Sequence, residues 1–368
     1  MRKVRILQIG LSSFPGGVEN SIMNYYREID KRKVQFDFIC IESSLAYSEE
    51  IKKLGGKIFY LSNPKKNLLK YIIELLNVLK SNKYKIVHIN MLSGANIVPL
   101  LICNIKKIEK VIIHSHNSNL PKGISKKFLH YIVKSFIKSR SNDYLACSKV
   151  AAKWLYLKKI AKKTIILKNA INIEQYRFNE IARNRIRKSI NINEENYIIG
   201  CVGRLSDEKN QKFLISVFKD VLSKLNNCFL VLVGDGAQRS DLDDLVEKLN
   251  LKQNVIFTGA KQNVYDYYSS FDLFCMPSKF EGLGIALIEA QASNLQCICS
   301  DFIPDEAIYS NGVKKISIND KDKWVEEVLN ILSSNKRIDF DYKIDDYMYD
   351  IKYTVNELLD IYFKELEG

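Results

Sequence analysis

The chain is 368 residues long, with 46% hydrophobic residues and a formal net charge of +14. That length exceeds what one hydrophobic core usually serves, so two domains are expected, and no apolar run is long enough for a membrane-spanning helix. The charge is split: residues 1–175 hold 32 Lys+Arg against 11 Asp+Glu, net +21, while residues 176–368 hold 24 against 31, net −7, which asks for a polyanionic partner of the first half, either nucleic acid or an anionic membrane surface.

In chain order, residues 1–10 read as a first strand and not as a signal peptide, so the protein is expected to stay in the cytoplasm. Strand-like apolar runs follow at 36–41, 57–61, 86–90, 111–115, 144–148 and 164–169. Helical periodicity fills the gaps, for example over 68–79 and 126–139. The segment 170–180 is polar and irregular, and a basic helix is predicted over 182–189. A second alternating series has strands at 197–203, 229–234, 254–259, 273–276, 296–300 and 315–318. Such alternation predicts doubly wound parallel sheets, with ligands at the carboxyl ends of the strands. The expected division is an N-terminal Rossmann-like domain at 1–175, a C-terminal one at 176–345, and an amphipathic helical end at 346–368. Eight cysteines sit mostly inside apolar runs with no Cys-x-x-Cys pair, the pattern of buried free thiols.

The richest stretch is Met276-Pro-Ser-Lys-Phe-Glu-Gly-Leu-Gly-Ile-Ala-Leu-Ile-Glu-Ala290. A strand runs into a glycine turn, and a helix is predicted to begin near Leu283. A helix N-terminus offers unpaired amides and about half a positive charge, which suits a phosphate or a polyhydroxyl group. Gly282 and Gly284 let a ligand approach the backbone. Glu289 lies ~7 Å along the helix from its start. Two acids so spaced do not share a proton, but they suit hydroxyls at the two ends of a nucleotide sugar.

Earlier in this half, Val202-Gly-Arg204 ends a strand and Lys209 precedes the next helix; two cations over one turn can clamp a diphosphate. Val233-Gly234-Asp-Gly suits a tight turn beside a nucleotide. In the first half, Gly16 and Gly17 follow the first strand. Glu19 is either a first-turn acid favoured by the helix dipole or a polar group in a cleft. His114-Ser-His116 ends the strand at 111–115; a lone strand-end histidine is usually structural.

Pro277-Ser-x-x-Glu281-Gly-x-Gly-x-x-x-x-Glu289-Ala resembles the signature of glycosyltransferase family 4, whose members are retaining enzymes of the GT-B fold. The resemblance extends over nearly the whole chain. The stretches Gly16-Gly-Val-Glu-Asn, Phe36-Asp-Phe and Ile113-His-Ser-His resemble its capsular and exopolysaccharide branch. It implies two Rossmann-like domains facing each other across a cleft, with the C-terminal helix crossing back to the first. It implies donor binding by Arg204, Lys209, Gly234, Glu281, Gly282, Leu283, Gly284, Glu289, Gly16 and Gly17. Glu281, Arg204 and Lys209 take catalytic roles, with His114, or His116 as second choice, near the donor sugar. The implied substrates are a UDP-sugar donor and a lipid-linked sugar acceptor on the inner membrane face.

No Asp-x-Asp metal motif appears in the loops, so no metal or other cofactor is expected. Nucleic acid is not expected as a partner, since the tyrosines are spread through apparent cores. A catalytically inactive binding or scaffold protein is the alternative; intact Glu281, Glu289, Arg204 and Lys209 argue against it. The basic half is expected to hold the protein peripherally on an anionic membrane. Lys126, Lys127 and Lys134 flank one apolar helical face there, which equally suits a core-facing helix.

Overall fold

The computed structural model describes residues 3–13, 16–91, 97–116, 130, 134–137, 143–334 and 348–364. The chain divides into two compact units: Met1–Ile171 together with Met348–Gly368, and Asn172–Tyr347. Each is an α/β layer structure around a parallel sheet.

In the first unit the strands are β1 Val4–Ile9, β2 Val34–Cys40, β3 Ile58–Tyr60, β4 Ile86–Met91, β5 Lys110–Ser115, β6 Asp143–Ala146 and β7 Ile165–Ile166. Their order across the sheet is β3-β2-β1-β4-β5-β6-β7. The strand order reverses between β1 and β4, which is where such folds hold ligands at the carboxyl edge. Both sheet faces are covered, one by a core including Leu75, Val87 and Ile113, the other by one including Ile22, Phe36 and Ile112. Burial on both faces explains the unbroken apolar run Val111–Ile113 in β5.

The C-terminal amphipathic pattern forms the helix Ile351–Phe363, begun by Asp350, whose side chain accepts from the Lys352 amide. Ile351, Val355, Leu358, Ile361 and Tyr362 recur at helical spacing, and all enter the first unit's second core. The return segment is tied in by backbone bonds in both directions, Ile171 N to Tyr349 O and Ile351 N to Ile171 O, each 2.9 Å.

The second unit holds β8 Tyr197–Val202, β9 Cys228–Val233, β10 Val255–Gly259, β11 Leu273–Met276, β12 Cys297–Ser300 and β13 Val313–Ile316. Their order is β10-β9-β8-β11-β12-β13, reversing between β8 and β11. The helix Glu180–Ser189, basic in sequence, turns two of its cations inward. Arg183 and Arg187 each reach Asp272 at 2.7 Å, and the other Asp272 contact, from the Ile198 amide, bolts the helix to the start of β8.

All eight cysteines are buried and free. Among the described residues no helix is long and apolar enough to cross a membrane. Lys126 and Lys127, on the helix read as either membrane-facing or core-facing, lie outside the described residues. Lys134 is half-buried and donates to the carbonyls of Lys153 and Trp154 at 2.9 Å. It therefore caps the end of the helix Lys149–Leu155 and is not a loose surface cation.

Candidate functional site

The reversal point of the second unit brings together the two loops singled out above. One leaves β8 through Gly203 and Arg204 and passes Lys209. The other leaves β11 through Pro277 and passes Glu281. Backbone and side chain stitch them: Lys279 N donates to Glu208 O at 2.8 Å, and Asn210 Nδ2 donates to Pro277 O at 3.2 Å. Lys209 Nζ and Glu281 Oε1 form an ion pair between the two loops. Ser278 Oγ donates to the same carboxylate oxygen at 2.8 Å. The two side chains are 26% and 11% exposed, so the pair is screened far less than a surface pair. Arg204, in the same loop after β8, is exposed and makes no ion pair among the described residues.

Gly234 belongs to the scaffold beneath this turn. Its φ is +142°, and a Cβ there would lie 2.0 Å from the Gly203 carbonyl oxygen. Only glycine lets the ends of β8 and β9 approach so closely. The next helix, Ile285–Ala292, begins two residues later than the sequence suggests, because Gly284 takes a left-handed φ of +92° as its N-cap. No side chain caps its first amides. Leu283 is buried and packs as an anchor, while Gly282 is half-buried in the turn.

Glu289 is 4% exposed. Tyr176 OH donates to its Oε1 at 3.0 Å and Tyr268 OH to its Oε2 at 2.7 Å. Burial pushes the carboxyl up to about 7, while the two tyrosine donors and nearby Lys209 pull the other way. Glu289 was expected to accept from a hydroxyl at one end of a nucleotide sugar; in the fold each of its oxygens also accepts from a phenol. Neither tyrosine carries a signal in the sequence that sets it apart from the chain's twenty tyrosines.

In the first unit, Gly16 is the extended N-cap of the helix Gly17–Glu28, at the carboxyl end of β1. Gly17 is exposed, and a Cβ there would meet nothing. Glu19 is buried and accepts from Ser12 N at 2.9 Å and Ser12 Oγ at 2.8 Å. It is thus a first-turn acid that ties the β1 loop to the helix, in the favourable field of the N-terminus.

The strand-end histidines form part of a closed ring of buried polar groups. Gln8 Nε2 donates to Tyr362 OH at 3.1 Å, and Tyr362 OH meets His88 Nδ1 at 2.8 Å. His88 Nε2 meets His114 Nδ1 at 3.3 Å. The His114 and His116 rings lie 3.9 Å apart. His116 Nε2 meets Asn90 Oδ1 at 2.9 Å, and Asn90 Nδ2 returns to Gln8 Oε1 at 3.1 Å.

The amide orientations fix the protons. Tyr362 accepts from Gln8 and so donates to His88 Nδ1, which puts the His88 proton on Nε2. That proton is given to His114 Nδ1, which puts the His114 proton on Nε2. Asn90 Oδ1 requires a proton on His116 Nε2. Within this ring, two buried nitrogens have no partner among the described residues, His114 Nε2 and His116 Nδ1: one donor beside one acceptor. Burial holds all three rings neutral, taking His88 and His116 down to about 3 and His114 well below its ordinary value. The rings line a small cavity with Ser21, Tyr25 and Tyr362. His116, just past β5, lies nearer the strand exit than His114.

Two family models match the chain: Glycosyltransferase Family 4 over residues 15–175 and Glycosyl transferases group 1 over residues 182–344. A putative glycosyltransferase of Bacillus subtilis, EpsF, is 30% identical, over 97% of this chain and 96% of its own length. A UDP-Gal:alpha-D-GlcNAc-diphosphoundecaprenol alpha-1,3-galactosyltransferase of Escherichia coli is 23% identical over 91% of this chain and 92% of its own. Among solved structures, Anabaena HepE in complex with UDP-glucose superposes with a TM-score of 0.77 at 16% identity, covering 97% of this chain and 94% of that one.

Proposed function

The chain belongs to the glycosyltransferases of family 4, and on that premise we propose that it is a retaining hexosyltransferase. It moves a hexose or N-acetylhexosamine from a UDP-sugar to a lipid-linked saccharide in capsular or exopolysaccharide biosynthesis. The observation that carries the reading is the Lys209–Glu281 pair beside Arg204 and the N-terminus of the helix Ile285–Ala292. A diphosphate has its countercharges there, and a sugar attached to it has a carboxylate within reach. Support for the donor and the acceptor comes from relatives named for UDP-galactose with a diphosphoundecaprenol sugar, and for UDP-glucose.

In this reading Arg204, Lys209 and the helix amides bind the diphosphate and stabilise the charge that grows on it as its bond to the anomeric carbon breaks. Glu281 positions the sugar. The acceptor oxygen attacks on the face the diphosphate leaves, and the leaving oxygen takes the acceptor's proton. The protein supplies positioning and fixed charge. The cations take the place of a metal, so none is required. Glu289 acts through its tyrosine cradle, and the orphaned nitrogens of His114 and His116 offer a matched donor and acceptor to one hydroxyl. The protein works peripherally on the inner face of the cytoplasmic membrane.

The test is a screen of UDP-sugars for hydrolysis and for thermal stabilisation, followed by transfer to lipid-linked acceptors. Stabilisation without hydrolysis or transfer would leave a catalytically inactive nucleotide-sugar binder in its place.

A further inference from the structure

The helix Leu68–Asn82 is apolar on two sides. Its inner stripe, Tyr71, Leu75 and Leu79, is buried in the first unit's core. Its outer stripe is not covered: Leu69 is 69% exposed, Ile73 50% and Leu68 48%, with Leu76 half-buried. Leu69, Ile73, Leu76 and Lys80 follow each other at helical spacing along that outer side. Lone exposed leucines are ordinary, but a contiguous outer stripe on a helix already anchored by its inner face needs a second apolar environment. Exposed Lys65, Lys66, Lys70 and Lys80 frame it. The single acid of the helix, Glu74, accepts from the Ser62 amide and hydroxyl and pairs with Lys70 at 3.9 Å, which leaves Lys65, Lys66 and Lys80 as the cations facing outward.

We propose that this outer face of the helix Leu68–Asn82 lies in the surface of an anionic lipid bilayer, with Leu68, Leu69 and Ile73 in the acyl boundary and the lysines at the headgroups. The inference rests on the lipid-linked acceptor of the function above and locates it. A second copy of the same face would set lysines against lysines, whereas anionic headgroups complement them. The position also fits. The helix starts after the carboxyl end of β3, on the edge of the sheet that carries Gly16 and His116. β3 lies two strands from β1, or ~10 Å across the sheet. A sugar diphosphate whose lipid stays in the bilayer reaches that edge without leaving the surface. Lys134, engaged in capping a helix, is not needed for this.

The experiment is co-sedimentation of the full chain with phosphatidylglycerol vesicles and with phosphatidylcholine vesicles, for wild type and for the double variant Leu69→Ser, Ile73→Ser. Phosphatidylglycerol vesicles should bring down the wild type. The variant should bind them at least about tenfold more weakly, with unchanged thermal unfolding and unchanged UDP-sugar hydrolysis. Lys65→Glu with Lys66→Glu should weaken binding at low salt and leave the fold alone. Equal binding of wild type and the serine variant overturns the proposal. So does a wild-type dimer in light scattering that the serine variant dissolves. Wild type that transfers sugar to a soluble acceptor but ignores vesicles overturns the surface and spares the transferase. Vesicle binding by a protein that turns over no nucleotide sugar sinks the transferase reading alone.

Discussion

Lys209 and Glu281, 72 residues apart in the chain, meet as an ion pair between the loops that leave β8 and β11. Each charge is the other's nearest partner, so removing one leaves the other partly buried and uncompensated. Lys209→Ala is expected to weaken UDP-sugar binding and to lower kcat/KM by about 10²–10³, the range for losing one fixed donor to a developing anion. Glu281→Ala should lower turnover more than nucleotide affinity. Titration calorimetry with UDP and steady-state kinetics separate the two; wild-type donor affinity in Lys209→Ala would remove Lys209 from the site.

On the proposed mechanism Arg204, Lys209 and helix amides neutralise the diphosphate, so activity of the purified protein should survive EDTA. Complete loss of turnover, restored by Mg²⁺ or Mn²⁺, would show that a divalent ion does this work.

Glu289 gives a stability signature with a definite sign. Its folded carboxyl holds its proton up to about 7, against an ordinary value of 4.5. Its contribution is therefore fully present below about 4.5 and is lost as pH rises toward 7, a fall of about 3 kcal/mol. Glu289→Gln should unfold with a flatter pH dependence over that window, and at pH 8 it should match or exceed wild type. Denaturant unfolding at several pH values checks this. UDP-sugar affinity of the same variant reports separately on the ligand role.

The histidine ring predicts one tautomer at each of His88, His114 and His116, protonated on Nε2, with no titration near the ordinary 6.5. Long-range proton–nitrogen NMR reads the tautomers directly. Because folding depresses these pKa values, the stabilisation is present above about 6.5 and is lost as pH falls toward 3. Tyr362→Phe removes the donor to His88 and should release that ring's tautomer. A proton on His116 Nδ1 in the wild type would break the derivation.

Asp272 is held by Arg183, Arg187 and the Ile198 amide. Asp272→Ala leaves the buried Arg187 without its carboxylate and should cost about 3–5 kcal/mol of stability, with thermal unfolding as the readout and Asp272→Glu as the partial rescue.

Each of the thirteen strand runs has its counterpart in the sheets, because a strand buried on both faces is locally apolar and ends in turn residues. β11 shows this best: its Leu273–Met276 bounds are those of the apolar run. The Pro277–Gly284 turn was legible for the same local reason. What local pattern could not show is polar pairing across the chain. Tyr176 reaches Glu289 over 113 residues and Arg187 reaches Asp272 over 85. Neither pairing leaves a trace in periodicity, so Glu289 read only as an acceptor for a ligand hydroxyl and the helix Glu180–Ser189 as merely basic. The start of the helix Ile285–Ala292 was misjudged by two residues because a left-handed glycine looks the same in sequence whether it precedes a helix or lies inside its first turn.

The placement of the helix Ile351–Phe363 has a consequence for synthesis. Tyr362 is bonded to Gln8 across 354 residues, and its helix supplies a large part of one face of the first unit's core. A ribosome therefore delivers the last piece of the first-made unit only after the whole of the second has emerged. The second unit is continuous in sequence and can close while the chain is still growing, whereas the first waits with Phe36, Ile112 and His88 uncovered. Translation products stalled before the helix Ile351–Phe363 are then expected to expose that apolar face to chaperones, and deletion of this helix to be strongly damaging.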